Sequence, residues 1–308
     1  MKDRHTAYIE LSLAMAIVGS LSVVGKKVIT VFPVMLSSVL TLGIASVGMY
    51  LIHLWIVGKV PKITAAQFKY LFLQAFFGVV LFRVFFLYGL YWSSASMVGI
   101  LIALTPVVIA LLSIFLLREK VNFYVISWIF VSITGVIICQ SSQFILNSGW
   151  STTAGIALFL SAMICEGLFT VIRKKISYEP LNPITSNFYL CTIRAILFLP
   201  LGLYDLKKFY LFSHNMADWI PIIYTAVFVN IASFVLWFKG VDKIDATTVG
   251  IFTIVMPVTS TILSALILKE PITLSVMQGI CIAIFGLLLV IMPTGKLLMI
   301  VNRHKRNL

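Results

Sequence analysis

Apolar residues gather along the chain in ten long blocks, and polar residues fall between them. About 20 apolar residues are needed to carry a helix across the hydrocarbon core of a bilayer. The blocks lie at 8–24, 33–56, 70–91, 96–117, 122–141, 153–172, 184–204, 218–238, 246–268 and 273–293. They are continuous and lack the two-residue alternation of a membrane barrel, so helices that satisfy their own amides are expected. The connections are short, the longest being 205–217, and none has room for a soluble domain. The first block follows a basic start, as a leader peptide would. It runs into Lys26-Lys27 with no small-residue cleavage site, so it is expected to stay as a membrane helix.

Composition agrees with this pattern. Of 308 residues, 61% are hydrophobic and only 11% are charged. A water-soluble domain carries about 25% charged residues, so soluble enzymes, disordered chains and nucleic-acid readers are excluded. Cys139, Cys165, Cys191 and Cys281 each lie inside an apolar block without C-x-x-C spacing, and read as small core residues. The net charge of +13 is distributed as a topology signal. With the N-terminus inside, sixteen of the 23 Lys and Arg residues fall in cytoplasmic segments and five (Lys26, Lys27, Lys207, Lys208, Lys269) in outer ones, while Arg83 and Arg194 lie within blocks. Positive charge concentrates on the cytoplasmic side, so both termini are expected there, with an even number of crossings.

The chain also repeats itself. Residues 89–119 and 240–270 align without a gap at an offset of 151 and are identical at 11 of 31 positions. Shared apolar composition would give about 3–4. The identities include Gly89 and Gly240, Pro106 and Pro257, and Glu119 and Glu270; Gly135 and Gly286 continue the same register. Gly19 and Lys26-Lys27 match Gly167 and Lys174-Lys175 at an offset of 148. Five blocks per repeat is an odd number, so the second repeat enters the membrane from the opposite side, an organisation frequent among secondary transporters. The expected architecture is an all-α integral membrane protein of ten transmembrane helices in two inverted-topology five-helix repeats. Residues 1–148 form the first, 149–296 the second, and 297–308 a basic cytoplasmic tail.

The block Ala95…Pro106…Leu117-x-Glu119, recurring as Ala246…Pro257…Leu268-x-Glu270, resembles the EamA family of the drug/metabolite transporter superfamily. The resemblance spans nearly the whole chain. It implies a carrier of small metabolites, often an exporter, that works without ATP hydrolysis. It further implies an Arg in the second helix of each half. Arg194 fits this in the second half, whereas the region near Gly43 has none. In that fold the helix carrying Arg194 is expected to lie outside the cavity.

Several residues are candidates for the mechanism. Glu166 falls near mid-depth in the sixth block, where a carboxylate is costly unless paired, solvated or protonated. It reads as a proton-coupling group or as a ligand for a cationic substrate group. The alternative is a structural ion pair with Arg83 or Arg194. Arg83, among Phe76, Phe77, Phe82, Phe85 and Phe86, needs a carboxylate, carbonyls or aromatic faces. It can take a substrate carboxylate or balance Glu166. Asn230, with Tyr88, Tyr91, Trp92 and Trp237, could line a pocket for an amphipathic metabolite; the alternative for the aromatics is the interfacial belt. Pro106 and Pro257 are expected to kink the fourth and ninth helices, as matched helix interruptions near a binding site or as packing features alone. Glu119 and Glu270 read as structural helix-end residues.

The four histidines are scattered, and H-E-x-x-H, G-x-S-x-G and P-loop patterns are absent. No enzyme activity, cofactor, metal or nucleic-acid partner is expected. The expectation is secondary active or facilitative transport of a small metabolite, an amino acid or related amphipathic compound, by alternating access around a central cavity. A passive pore and a non-transporting scaffold are the competing readings. The bilayer and the substrate are expected partners, with protons and a second copy of the chain left open. The expected location is a bacterial cytoplasmic (inner) membrane.

Overall fold

The computed structural model describes residues 2–59, 62–91, 104–120, 123–146, 153–176, 181–206, 215–269 and 273–291, and among these every regular element is helical. Helix α1 (Lys2–Gly19) passes through one tight turn at Ser20 into α2 (Leu21–Val31), and α3 (Val34–Val57) follows. Helix α4 (Ala65–Ala75) runs through a π-helical segment, Phe76–Leu81, into α5 (Phe82–Tyr91). Helix α6 (Thr105–Leu112) ends in a second π segment, Ser113–Leu117, and α7 (Phe123–Leu146) closes the first half of the chain. Then come α8 (Thr153–Ile176) and α9 (Pro183–Leu206). Helix α10 (Met216–Tyr224) runs through a third π segment, Thr225–Ala232, into α11 (Ser233–Lys243). The last helices are α12 (Ala246–Phe252), α13 (Val255–Leu268) and α14 (Leu274–Ile291).

Among the described residues, seven helical stretches are long and apolar enough to cross a membrane. Three further apolar helices are shorter: Thr105–Leu117, Phe123–Ile138 and Leu274–Leu289. The block expected at 96–117 begins outside the described residues, as do Trp92 and Glu270. At most of the other blocks the helices outrun the apolar run, because hydropathy marks the hydrocarbon layer and not the ends of the hydrogen-bonded backbone; the helices of 246–268 and 273–293 stay within theirs among the described residues. The first block was expected to end near residue 24, yet the helix continues through Lys26-Lys27 to Val31. The block at 70–91 starts five residues earlier. There a capping box fixes the start: Gln67 N donates to Thr64 Oγ1 (3.2 Å) and Thr64 N to Gln67 Oε1 (2.9 Å).

The helices pack in pairs. α3 lies along α9, α7 along α14, α1 along α11 and α13, and α8 along α5 and α6. Glycines set the closest approaches. A Cβ on Gly135 of α7 would collide with the Ala283 backbone of α14, and one on Gly286 of α14 with Ser132 of α7. A Cβ on Gly89 of α5 would lie 2.7 Å from Phe159 of α8, and one on Gly240 of α11 2.5 Å from Leu11 of α1. Gly19 of α1 abuts Met256 and Thr259 of α13, and Gly167 of α8 abuts Leu112 and Val108 of α6. Without a hydrophobic drive between helices in lipid, such close van der Waals contact is a main source of association.

The two prolines stand differently from the expected mid-helix kinks. Pro106 occupies the first turn of α6, where its missing N–H costs nothing. Pro257 is the third residue of α13, just after a break at Thr253–Ile254 that separates α12 from α13. The carbonyl of Thr253 lies four residues before Pro257 and so lacks its usual donor. It accepts instead from Met256 N at 3.2 Å, a tighter turn. The proline thus starts a new helix rather than bending a continuous one.

Candidate functional site

A cavity of about 480 Å³ lies between the helices at mid-length. This is within the ~300–1,000 Å³ range of small-molecule sites. Met15, Val18 and Leu21 face it from α1 and α2. Gly78, Val79, Phe82, Arg83 and Phe86 face it from the first π segment and α5. Helix α8 contributes Glu166, Phe169 and Thr170, and α9 contributes Arg194. From the third π segment and α11 come Asn230, Ser233, Phe234 and Trp237, from the α12–α13 break Thr253, and from the start of α13 Met256.

Part of the wall lies where helices lose regular form: Gly78 and Val79 in the first π segment, Val229 and Asn230 in the third, and Thr253 at the α12–α13 break. A π segment widens the helix by one residue and leaves carbonyls without their usual donors, which is tolerated where they face protein or a wet cavity. Side chains take up part of that deficit. Asn230 Nδ2 donates to Thr225 O (3.1 Å), Asn187 Nδ2 to Asn230 O (2.9 Å), and the Ser233 hydroxyl to Val229 O. Asn230 is therefore fixed by the segment it belongs to, with its backbone carbonyl held from α9.

Glu166 sits near the midpoint of α8 and Arg194 near the midpoint of α9. Among the described residues the Glu166 carboxylate has no hydrogen-bond or ion-pair partner, so the alternative of a structural pair with Arg83 or Arg194 is not realised. Glu166 also borders a small void of about 20 Å³, shared with Thr105, Pro106, Thr253 and Pro257. A void of this size has room for about one water. The two prolines and the carboxylate are thus brought to one place.

The arginines rest on aromatic faces. The Arg83 guanidinium lies 5.7 Å from the Phe198 ring centre, and that of Arg194 4.3 Å from the Phe234 ring centre. Arg194 Nε donates to Leu190 O (3.2 Å), while Arg194 Nη2 and Arg83 Nε are buried without a hydrogen-bond partner among the described residues. Arg194 was expected outside the cavity. It lines it, because α9 packs along α3 and turns Arg194 toward α11, where Phe234 receives it.

Trp237 is buried in the wall, as a pocket residue would be, and not in an interfacial belt. Tyr88 is 56% exposed and does not line the cavity. It is five residues from Arg83, about 140° around the helix at 100° per residue, and so faces away. Tyr91 has no described side chain.

Beyond the cavity, toward Asp242, the helices close over a packed core that includes Leu11, Leu71, Ile176, Phe238, Val241 and Phe252. Arg173, counted above as a topology charge, is fully buried here. Its Nη2 meets Asp242 Oδ2 at 2.5 Å, its Nη1 donates to Ser186 Oγ at 2.8 Å, and its guanidinium lies 4.3 Å from the Phe238 ring centre. Lys243 pairs with Glu10 at 2.7 Å. Glu119 accepts from Ala246 N (2.8 Å) and Thr247 N (3.2 Å), capping α12. Beyond isolated charges these partnerships left no mark in the sequence, since all but that of Arg173 with Ser186 join residues more than 60 positions apart. No group of His, Cys, Asp and Glu among the described residues has the arrangement of a metal site.

Residues 5–139 and 153–292 each match the EamA-like transporter family. The chain belongs to this family. Among its relatives is an uncharacterized transporter, YetK, of Bacillus subtilis (strain 168), 36% identical over 93% of this chain and 87% of that one. Another, an uncharacterized transporter of Archaeoglobus fulgidus, is 23% identical over 71% of this chain and 76% of that one. A protein solved by crystallography superposes with a TM-score of 0.77, covering 93% of this chain and 96% of that one at 16% identity, which speaks to the fold alone. EamA membership together with the apolar helices makes the chain an integral membrane protein of a transporter family.

Proposed function

We propose that this EamA protein is a carrier that moves a small amphipathic metabolite, an amino acid or a related compound, by alternating access to the mid-membrane cavity. The observation that carries this reading is the convergence of Arg83, Glu166 and Arg194, contributed by helices of both halves, in one cavity that two π segments and the α12–α13 break also border. Glu166 is the coupling residue, exchanging a proton against substrate; Arg83, Asn230 and Trp237 hold the substrate. Pro106 and Pro257 mark the helix starts that reorient as access changes.

The ten-crossing, two-repeat architecture belongs to the same proposal, with residues 1–148 and 149–296 as the halves, and 297–308 as a cytoplasmic tail. The packing supports it. The pairs α1–α11 and α1–α13 correspond to α8–α5 and α8–α6 when the halves are exchanged, and α3–α9 and α7–α14 map onto themselves. The glycine contacts follow the same exchange: Gly135 meets Ala283 and Gly286 meets Ser132, and the equivalent positions, Gly135 with Gly286 and Ser132 with Ala283, are each separated by the 151-residue offset. Arg118 and Lys269, also 151 apart, both end their helices at φ 55°. The family matches fall one on each half. Both termini are assigned to the cytoplasm on the positive-charge distribution, and the membrane to a bacterial cytoplasmic membrane on relatives such as YetK.

Counterflow tests this. Purified protein in liposomes preloaded with an unlabelled amino-acid mixture should take up the matching labelled compounds transiently and saturably. Flux that neither saturates nor responds to trans substrate would mean a pore, and no flux with a broad metabolite panel would mean a scaffold.

A further inference from the structure

The ionisable residues that line the cavity, among those described, are two arginines and one glutamate. Neither arginine has a carboxylate partner. Arg194 is 3% exposed, and its only described hydrogen bond is from Nε to the Leu190 carbonyl. Arg83 has no described hydrogen bond, and its Nε is buried. The aromatic faces of Phe198 and Phe234 supply some attraction, about 0.5–2 kcal/mol each, but they leave the in-plane N–H donors unmade. A guanidinium cannot escape this by losing its proton. A buried cation, Arg194, and a half-buried one, Arg83, each with a buried donor unmade among the described residues, are costly in one chamber unless something that is not part of the chain completes them.

Their positions suit a shared occupant. Arg83 lies against Phe198, which is four residues from Arg194 on α9, one turn or about 6 Å along the same face. Donors from α5 and α9 therefore converge beside each other. Phe82, Phe86, Phe169 and Trp237 supply apolar wall in the same cavity. We infer that Arg83 and Arg194 form an anion subsite that takes the carboxylate of an amphipathic monocarboxylate, with its apolar body against these aromatics. Resting on the carrier reading for its purpose, the inference narrows the substrate class. Planar guanidinium forks match a carboxylate in geometry. With Glu166 ionised, the two arginines and the glutamate sum to +1, which one carboxylate neutralises, whereas a phosphate dianion would leave a net negative charge in an apolar chamber.

The test uses the full chain purified in detergent, with thermal midpoint as the readout of binding, since a ligand raises apparent stability by mass action. The probes are phenylacetate, indole-3-acetate and 4-methylvalerate, each beside its own amide, together with phenethylamine and inorganic phosphate. At least one acid should stabilise the protein at concentrations tenfold or more below those its amide requires. Arg83→Gln and Arg194→Gln should remove that preference, and Arg194→Lys should weaken it. Should the Arg194 variants fail to fold, the acid-to-amide comparison on the unaltered protein still decides. Amides equal to their acids, phosphate as effective as the best acid, or an unchanged preference in folded Arg83→Gln would each overturn the subsite. Counterflow with the same probes separates the two ideas. Saturable exchange of amide or amine but never acid sinks the subsite and leaves the carrier; acid binding without exchange of any probe leaves the subsite and sinks the carrier.

Discussion

Glu166 and Arg83 were legible as candidates because an ionisable side chain inside an apolar block has few ways to exist there. Their mutual isolation was not legible, since it depends on where two helices from different halves turn their faces. Arg194 shows the same gap: its block and depth could be read, but its direction is set by packing against α3 and α11. Tyr88 failed in the other direction, an aromatic near the right depth on the wrong face. These positions differ in what substitution should do. Glu166→Gln should fold with a normal elution profile yet lose coupled uptake, and wild-type uptake at every pH tested would remove Glu166 from the mechanism. Tyr88→Ala should leave the transport KM unchanged, because the side chain is outside the cavity. Trp237→Ala removes a buried aromatic, a loss of ~3–5 kcal/mol in a core, so both thermal midpoint and transport should fall.

At the scale of the element, most of the ten apolar blocks became helices or parts of them, while their ends and irregularities escaped the sequence. Ends depend on caps such as Thr64 with Gln67, which are polar and invisible to hydropathy. The π segments at Phe76–Leu81 and Thr225–Ala232 have no sequence signature comparable to proline, yet Gly78, Val79, Val229 and Asn230 from them line the cavity. The break in the ninth block was signalled by Pro257, and Pro106 and Pro257 each proved to stand in the first turn of a helix. Contacts between elements also carry predictions. Gly135→Val would drive a branched side chain into the Ala283 backbone. Overpacking costs typically ~1–3 kcal/mol and more against backbone; the variant should show a clearly lowered midpoint or fail to fold, and a normal midpoint would show that α7 and α14 are not closely packed. Glu119→Ala leaves the first amides of α12 without their acceptor. The expected cost is ~1–3 kcal/mol, read as a lower midpoint, with no change in substrate preference.

At the scale of the whole molecule, the all-helical membrane character was legible in the apolar blocks, and an odd number of crossings per repeat is what makes the sequence identity predict inverted symmetry. Gly19 with Gly167, and Gly89 with Gly240, match in the sequence repeat, and each pair packs against exchanged partners. The cavity's composition was less legible, since it is assembled from six separate helical runs. The end of the molecule bearing Arg173, Asp242, Lys243 and Glu10 is closed by long-range ion pairs that no local pattern announces.

The most direct measurement on the central claim is the sidedness of Arg118 and Lys269. Both are exposed, and both occupy the same left-handed helix-ending position, one in each half. In a background with the native cysteines replaced, Arg118→Cys and Lys269→Cys are labelled with a membrane-impermeant thiol reagent, in right-side-out and in inverted vesicles. Opposed halves require Arg118→Cys to react only from the cytoplasmic face and Lys269→Cys only from the outer face; reaction of both from the same face would contradict the account.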